Sequence, residues 1–201
     1  MVWRKHIFLS LAVLLLTIGN GWAETWDLDL NAGGSSLTGG IHYRSYMDTG
    51  YLRFGGSGVW ADENSKEYQW GSADFMVGSD TMVPGLMCEL GLRGLAGSAK
   101  DSNYSGDIGA IGFAANAYYL FSRDVLVIPL ELYGGVVWSP NLLSFLDTET
   151  FTEVDLGIGI RVIKNASIRV GYTNFRVEME GKPTSWVLKH DFVQLGLVLR
   201  F

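Results

Sequence analysis

After residue 23 this chain carries two histidines, His42 and His190, and they are the natural places to look for catalysis. Hydrolytic or acyl-transfer chemistry pairs a histidine with a nucleophile and an orienting acid. Ser45 lies near His42, but three positions along a strand place the two side chains on opposite faces. His190-Asp191 stands at the mouth of the last strand-like segment without a nucleophile beside it. Both histidines therefore read as girdle or loop residues; a lipid-modifying enzyme using His42 or His190 is the alternative function. Asp62-Glu63-Asn64 and Asp147-Thr148-Glu149 are acidic, but their spacing lacks the ligand count of a calcium loop. Cys88 is the sole cysteine and reads as a small hydrophobe. No catalytic residue, cofactor or metal is expected.

The chemistry present in quantity is paired charge within short alternating segments. Sorted by parity, one face collects Asp27, Asp29, His42, Arg44, Arg53, Asp74, Glu89, Arg93, Asn116, Glu131, Asp155, Arg161, Arg169 and Arg200, with many glycines between them. The other face is apolar: Leu52, Phe54 and Trp60; Leu86, Cys88, Leu90 and Leu92; Ile111, Phe113, Ala115 and Tyr119. It continues through Leu126, Ile128, Leu130, Leu132 and Val136, then Leu156, Ile158, Ile160 and Val162, then Ile168, Val170 and Tyr172. The charged face holds six carboxylates, six arginines and no lysine. Arginine makes bidentate, geometry-fixing contacts with carboxylates that lysine cannot. Charge in strand centres opposite an uninterrupted apolar face fits a wall with lipid outside and charge inside. A lumen network of Arg53, Asp74, Glu89, Arg93, Glu131, Asp155, Arg161 and Arg169 is expected.

Ten strands position these residues: Thr25–Asn31, Leu37–Tyr46, Tyr51–Ala61, Tyr68–Ser79, Leu86–Gly97, Ile108–Leu120, Val125–Trp138, Phe151–Ile163, Ser167–Glu178 and His190–Phe201. Glycine dilutes the first two, so eight strands with Glu24–Tyr46 as a plug is the alternative. Short turns are read at 47–50, 121–124 and 164–166, with 79–85 a longer member of that set. Longer loops are read at 98–107, 139–150 and 181–189, which puts the C-terminus on the short-turn side. The expected fold is all-β, a transmembrane antiparallel up-and-down barrel.

The two ends of the chain point the same way. Arg4 and Lys5 precede a largely apolar Ile7–Ile18, and Gly21-Trp22-Ala23 offers small residues for cleavage, so residues 1–23 read as a signal peptide and 24–201 as the barrel domain. At the other end, Leu195, Leu197, Leu199 and Phe201 share one strand face, while Gln194, Gly196 and Arg200 share the other. The pattern Gln194, Gly196, Leu199, Phe201 resembles the C-terminal signal of bacterial outer-membrane β-barrels, which implies recognition by an assembly machine.

Composition narrows the class further. There are 26 glycines, 4 prolines and 13% aromatic residues, and no apolar run after the signal is long enough for a spanning helix. The formal charge is −6, and losing Arg4 and Lys5 takes it to −8. With no basic cluster beyond the first six residues, nucleic acid is disfavoured as a partner.

Val137-Trp138-Ser139-Pro140-Asn141-Leu142-Leu143-Ser144-Phe145-Leu146-Asp147, with Val170-Gly171-Tyr172 further on, resembles the YfaZ-type outer-membrane proteins. The resemblance implies an outer-membrane barrel and brings no catalytic residues. The apolar residues at 142, 143, 145 and 146 are expected to fold back over the barrel rim. The role expected overall is structural or that of a narrow passive pore. Outer-membrane lipid, the barrel-assembly machinery and small solutes or ions are the expected partners.

Overall fold

The structure is a computed structural model and describes residues 24–63, 66–80, 83–101, 104–122, 128–180 and 185–201. The expected signal peptide, and Leu126 of the apolar face, lie outside the described residues. Eleven strands form one antiparallel sheet. They are β1 (Glu24–Gly33), β2 (Ser36–Met47), β3 (Gly50–Glu63), β4 (Lys66–Ser79), β5 (Leu86–Asp101), β6 (Tyr104–Leu120), β7 (Leu130–Ser139), β8 (Ser144–Leu146), β9 (Thr148–Ile163), β10 (Ala166–Met179) and β11 (Trp186–Arg200). Neighbours in sequence pair throughout except at β7 and β8, where β7 bridges β6 and β9 and β8 pairs with β6, and β1 pairs with β11, so the sheet closes on itself. At the seam Trp26 and Phe201 exchange backbone hydrogen bonds, N–H to carbonyl in both directions, at 3.0 and 2.9 Å.

β7 and β8 both pair with β6 and run in the same direction, so together they form one interrupted stave of a ten-stave barrel. The break comes at Pro140, which cannot donate to the ladder. A single 3-10 turn, Asn141–Leu143, fills the gap. β1 and β2 belong to the wall, so the alternative of eight strands with a plug is not the architecture.

The loop lengths differ from expectation. The end opposite the chain termini, called distal here, carries two-residue links at 34–35, 64–65 and 102–103. The longer connections at 80–85 and 121–129 lie at the terminal end. Strands β5 and β6 continue through most of 98–107, where a loop is expected from the sequence. The reason is that Lys100 and Asp107 are polar but face outward, on strands that extend beyond the apolar belt.

Side chains alternate about the wall as a pleated sheet requires, but the character of the two faces exchanges along the barrel axis. Toward the terminal end the outside is apolar, with Leu90 67%, Leu156 57%, Val162 58% and Leu195 61% exposed. The belt spans eight residue steps on β6, from Ile111 to Tyr119, roughly 27 Å along the strand. With a tilt of roughly 40° that approaches the ~25 Å apolar band of membrane barrels. Toward the distal end the exposed positions turn largely polar, with Glu67, Gln69, Lys100, Asp107, Arg176, Lys189 and Asp191, although Leu37, Trp60, Leu146 and Val187 are also exposed there.

The interior does the opposite. Its distal half is an apolar core in which Tyr68, Ile108, Phe151, Phe175, Val177, Met179 and Leu188 are 0–1% exposed. This corrects the expectation of a charged lumen from end to end. The distal half has the sidedness of a water-soluble protein, and the terminal half is inverted.

Candidate functional site: the lumen

The terminal half of the lumen holds the charged residues. On one side, Arg53 donates to Glu89 (2.9 Å) and Asp74 (3.2 Å). Arg44 binds Asp27 at 3.0 Å and sits 4.9 Å from the Tyr51 ring centre. Tyr51 and Asn116 each donate to Glu89, both at 3.1 Å, so that this 1%-exposed carboxylate is enclosed by donors. Burial of a carboxylate at that depth is tolerable because charged and neutral donors surround it.

On the other side, Glu131 is the centre. Arg161 reaches it at 3.0 Å, and Arg169 and Arg200 each at 3.3 Å, while Ser167 donates at 3.0 Å. Arg169 also lies 4.9 Å over Tyr133. The Tyr133 ring in turn lies across Gly157 and Gly171, where any Cβ would collide with it. Those two glycines on β9 and β10 let a tyrosine lie flat on the inner wall.

His42 joins the two sides. Its Nε2 is 3.2 Å from Asp74 and its Nδ1 is 3.4 Å from Asp29, which also lies 3.8 Å from Arg169. The girdle reading of His42 is therefore corrected: its parity with Arg44 puts it in the lumen. His190 stands at the distal mouth, with Nδ1 2.7 Å from the Tyr68 hydroxyl and Nε2 2.9 Å from Glu63. Glu63 also accepts from Ser35 at 2.7 Å.

Of the eight residues expected to form the network, Asp155 departs from arginine pairing. It accepts from Thr173 at 2.6 Å and, among the described residues, takes part in no ion pair. Arg93 pairs instead with Glu153, at 3.0 Å, and is 4.0 Å from Asp74. Glu153 was missed in the sequence, although its two-residue offset from Asp155 puts it on the same strand face.

Above this layer Trp70 of β4 packs against Phe175 of β10 (centroids 4.9 Å, 81°) and Phe151 of β9 (6.0 Å, 85°). These rings reach from opposite walls and meet mid-lumen. At the mouth Tyr104 and Trp186 stack at 6.0 Å. A cavity of about 370 Å3 lies beneath the aromatic layer and extends to Tyr46, Met87 and Leu120 at the terminal end.

The C-terminal residues divide as strand parity dictates. Gln194 and Gly196 face the lumen, with Leu195 and Leu197 outward. Gln194 donates to Thr173 at 2.9 Å. The apolar residues at 142, 145 and 146 do not fold over the mouth: Leu142 is 91% exposed, and the Phe145 ring lies against the outer side of Gly109.

The fold is therefore a transmembrane-class antiparallel up-and-down β-barrel of ten staves. No protein-family model matches the sequence, and no curated protein matches it. Among solved structures, it is similar to neisserial surface protein A, at 13% identity over 89% of this chain and 96% of that one, with a TM-score of 0.34. It is also similar to the outer-membrane expressed OmpT of Vibrio cholerae (12%, 83% of this chain, 56% of that one, TM-score 0.38) and to the copper transporter OprC (16%, 78% of this chain, TM-score 0.34). The chain spans 28% of the length of OprC.

Proposed function

We propose that this protein is an integral outer-membrane barrel whose role is structural or limited to passage of very small species, with its lumen sealed in the distal half. The exchange of sidedness along the axis carries this reading. A closed wall with apolar residues all round cannot face water without aggregating. In a bilayer the same wall is satisfied, and charge belongs in the lumen. The distal section, polar outside and apolar inside, then stands in water beyond the membrane.

Closure comes from the Trp70–Phe151–Phe175 layer as well as from the arginine–carboxylate pairs, which extends the sequence-based idea of a charge-filled lumen. Non-catalytic status is part of the proposal. It is supported by His42 and His190, whose four ring nitrogens are each turned to a partner side chain. The resemblance of 137–147 to YfaZ-type proteins accords with the proposed location. Refolded protein in planar bilayers tests it: small or no current is expected, and a large, stable conductance overturns the sealed lumen.

A further inference from the structure

We infer that the lumen cavity is a binding site for a small primary ammonium ion carrying an apolar group, anchored on Asp155 and Gln194 beneath Phe175. Charge is unevenly paired in the terminal lumen. Glu131 has Arg161, Arg169 and Arg200 around it, whereas of the neighbouring carboxylates Glu153 and Asp155 only Glu153 has an arginine, Arg93. Asp155 accepts from Thr173 and hydrogen-bonds the neighbouring Glu153 carboxyl, and among the described residues it pairs with no guanidinium or imidazole, whereas every other carboxylate of the terminal lumen does.

An independent observation comes from the hydrogen-bond directions. A hydroxyl has one proton, and Thr173 gives its proton to Asp155. Gln194 must therefore present its NH2 group to Thr173 Oγ, which fixes the amide orientation. Its carbonyl oxygen is left buried with no hydrogen-bond partner. Two acceptors on the cavity wall, one of them charged, thus lack a cationic donor. An ammonium group supplies three donors.

The apolar half of the ligand follows from the cavity ceiling. Thr173 pairs across the sheet with Phe192 on one side and Asp155 on the other. One row further distal lie Glu153 and Phe175, and Trp70 meets Phe175 edge-to-face from the opposite wall. All of these residues line the cavity. Aromatic faces attract a cation and bury its apolar substituent. A fully hydrated metal ion gains nothing from such a ceiling, and an anion at this corner of the cavity meets Glu153 and Asp155.

The test uses the full chain refolded into zwitterionic micelles, with benzylammonium as the probe and benzyl alcohol and benzoate as same-sized controls, followed by titration calorimetry. Benzylammonium should bind saturably, at least ten times tighter than either control, and Asp155→Asn should weaken it at least tenfold while the barrel keeps its heat-modifiable migration. Thr173→Val, which frees the Gln194 amide, should also weaken it while leaving the carboxylate in place. Equal binding of benzyl alcohol, unchanged binding by Asp155→Asn, or no saturable binding would each overturn the site; the last would leave Glu153 and Asp155 satisfied by a shared proton. No current is measured, so the outcome is separate from whether the lumen conducts.

Discussion

Arg93 and Glu153 meet at 3.0 Å across the lumen from β5 and β9, three staves apart in the wall, and mark the level at which the lumen changes character. The next inward residue distal to each is apolar, Leu95 and Phe151, and both are buried. The next inward residues on the terminal side are Gly91 and Asp155. The pair is a strut spanning the barrel at the boundary between charged and apolar halves.

That strut should be strongly coupled. Removing Glu153 leaves the Arg93 guanidinium charged in a buried site, which typically costs about 3–5 kcal/mol, less where water enters from the terminal end, and removing Arg93 leaves a buried carboxyl without its donor. Arg93→Met and Glu153→Gln should each destabilise the barrel, and the double variant should lose less than the sum. Reversible urea unfolding from bilayers measures the cycle. Strict additivity would show that the two charges act independently.

The aromatic layer makes a different prediction. Trp70→Ala or Phe175→Ala should cost about 3–5 kcal/mol each, as large buried rings do. Among variants that still insert, emptying the layer should raise conductance. Shortening Arg53, Arg93 and Arg161 to Ser should raise it much less, since the rings above remain. A large current from the arginine variant in planar bilayers would place the constriction in the charged half instead.

Phe201 should matter for assembly beyond its place in the seam. Because Trp26 and Phe201 close β1 on β11 through backbone hydrogen bonds, deletion removes that pairing together with the aromatic of the proposed signal. Export should persist while heat-modifiable barrel in the outer membrane falls. Phe201→Tyr, which keeps both the backbone and an aromatic, should restore it. Normal insertion of the deletion variant would remove Phe201 from the signal.

The terminal half of the barrel was legible in the sequence because its apolar outer residues recur every second position against arginine and acid. The distal half was not, because one parity was assumed to keep one character throughout. Tyr68 and Trp70 share the parity of Asp74, Phe175 and Val177 that of Arg169, and Phe151 that of Arg161. The same face is charged near the termini and aromatic beyond, a change that on the proposed reading marks where the wall leaves lipid. The pairing of Arg93 with Glu153 and not Asp155 depends on reach across the lumen, which strand parity does not encode. His42 was discounted for lack of a nucleophile, although its alternation with Arg44 already placed it inside.

The exchange of sidedness is tested most directly by a nitroxide scan of the outward positions of β9, from Thr150 and Thr152 through Val154 to Leu156, Ile158, Ile160 and Val162, in a Cys88→Ala background in bilayers. Collision with oxygen reports lipid, and collision with a water-soluble nickel chelate reports solvent. Labels at 156, 158, 160 and 162 should favour oxygen, labels at 150 and 152 the chelate, and 154 should fall between. Lipid-like accessibility at 150 and 152, or chelate access at 156–162, would contradict the account of a barrel whose inverted half lies in the membrane and whose distal half stands in water.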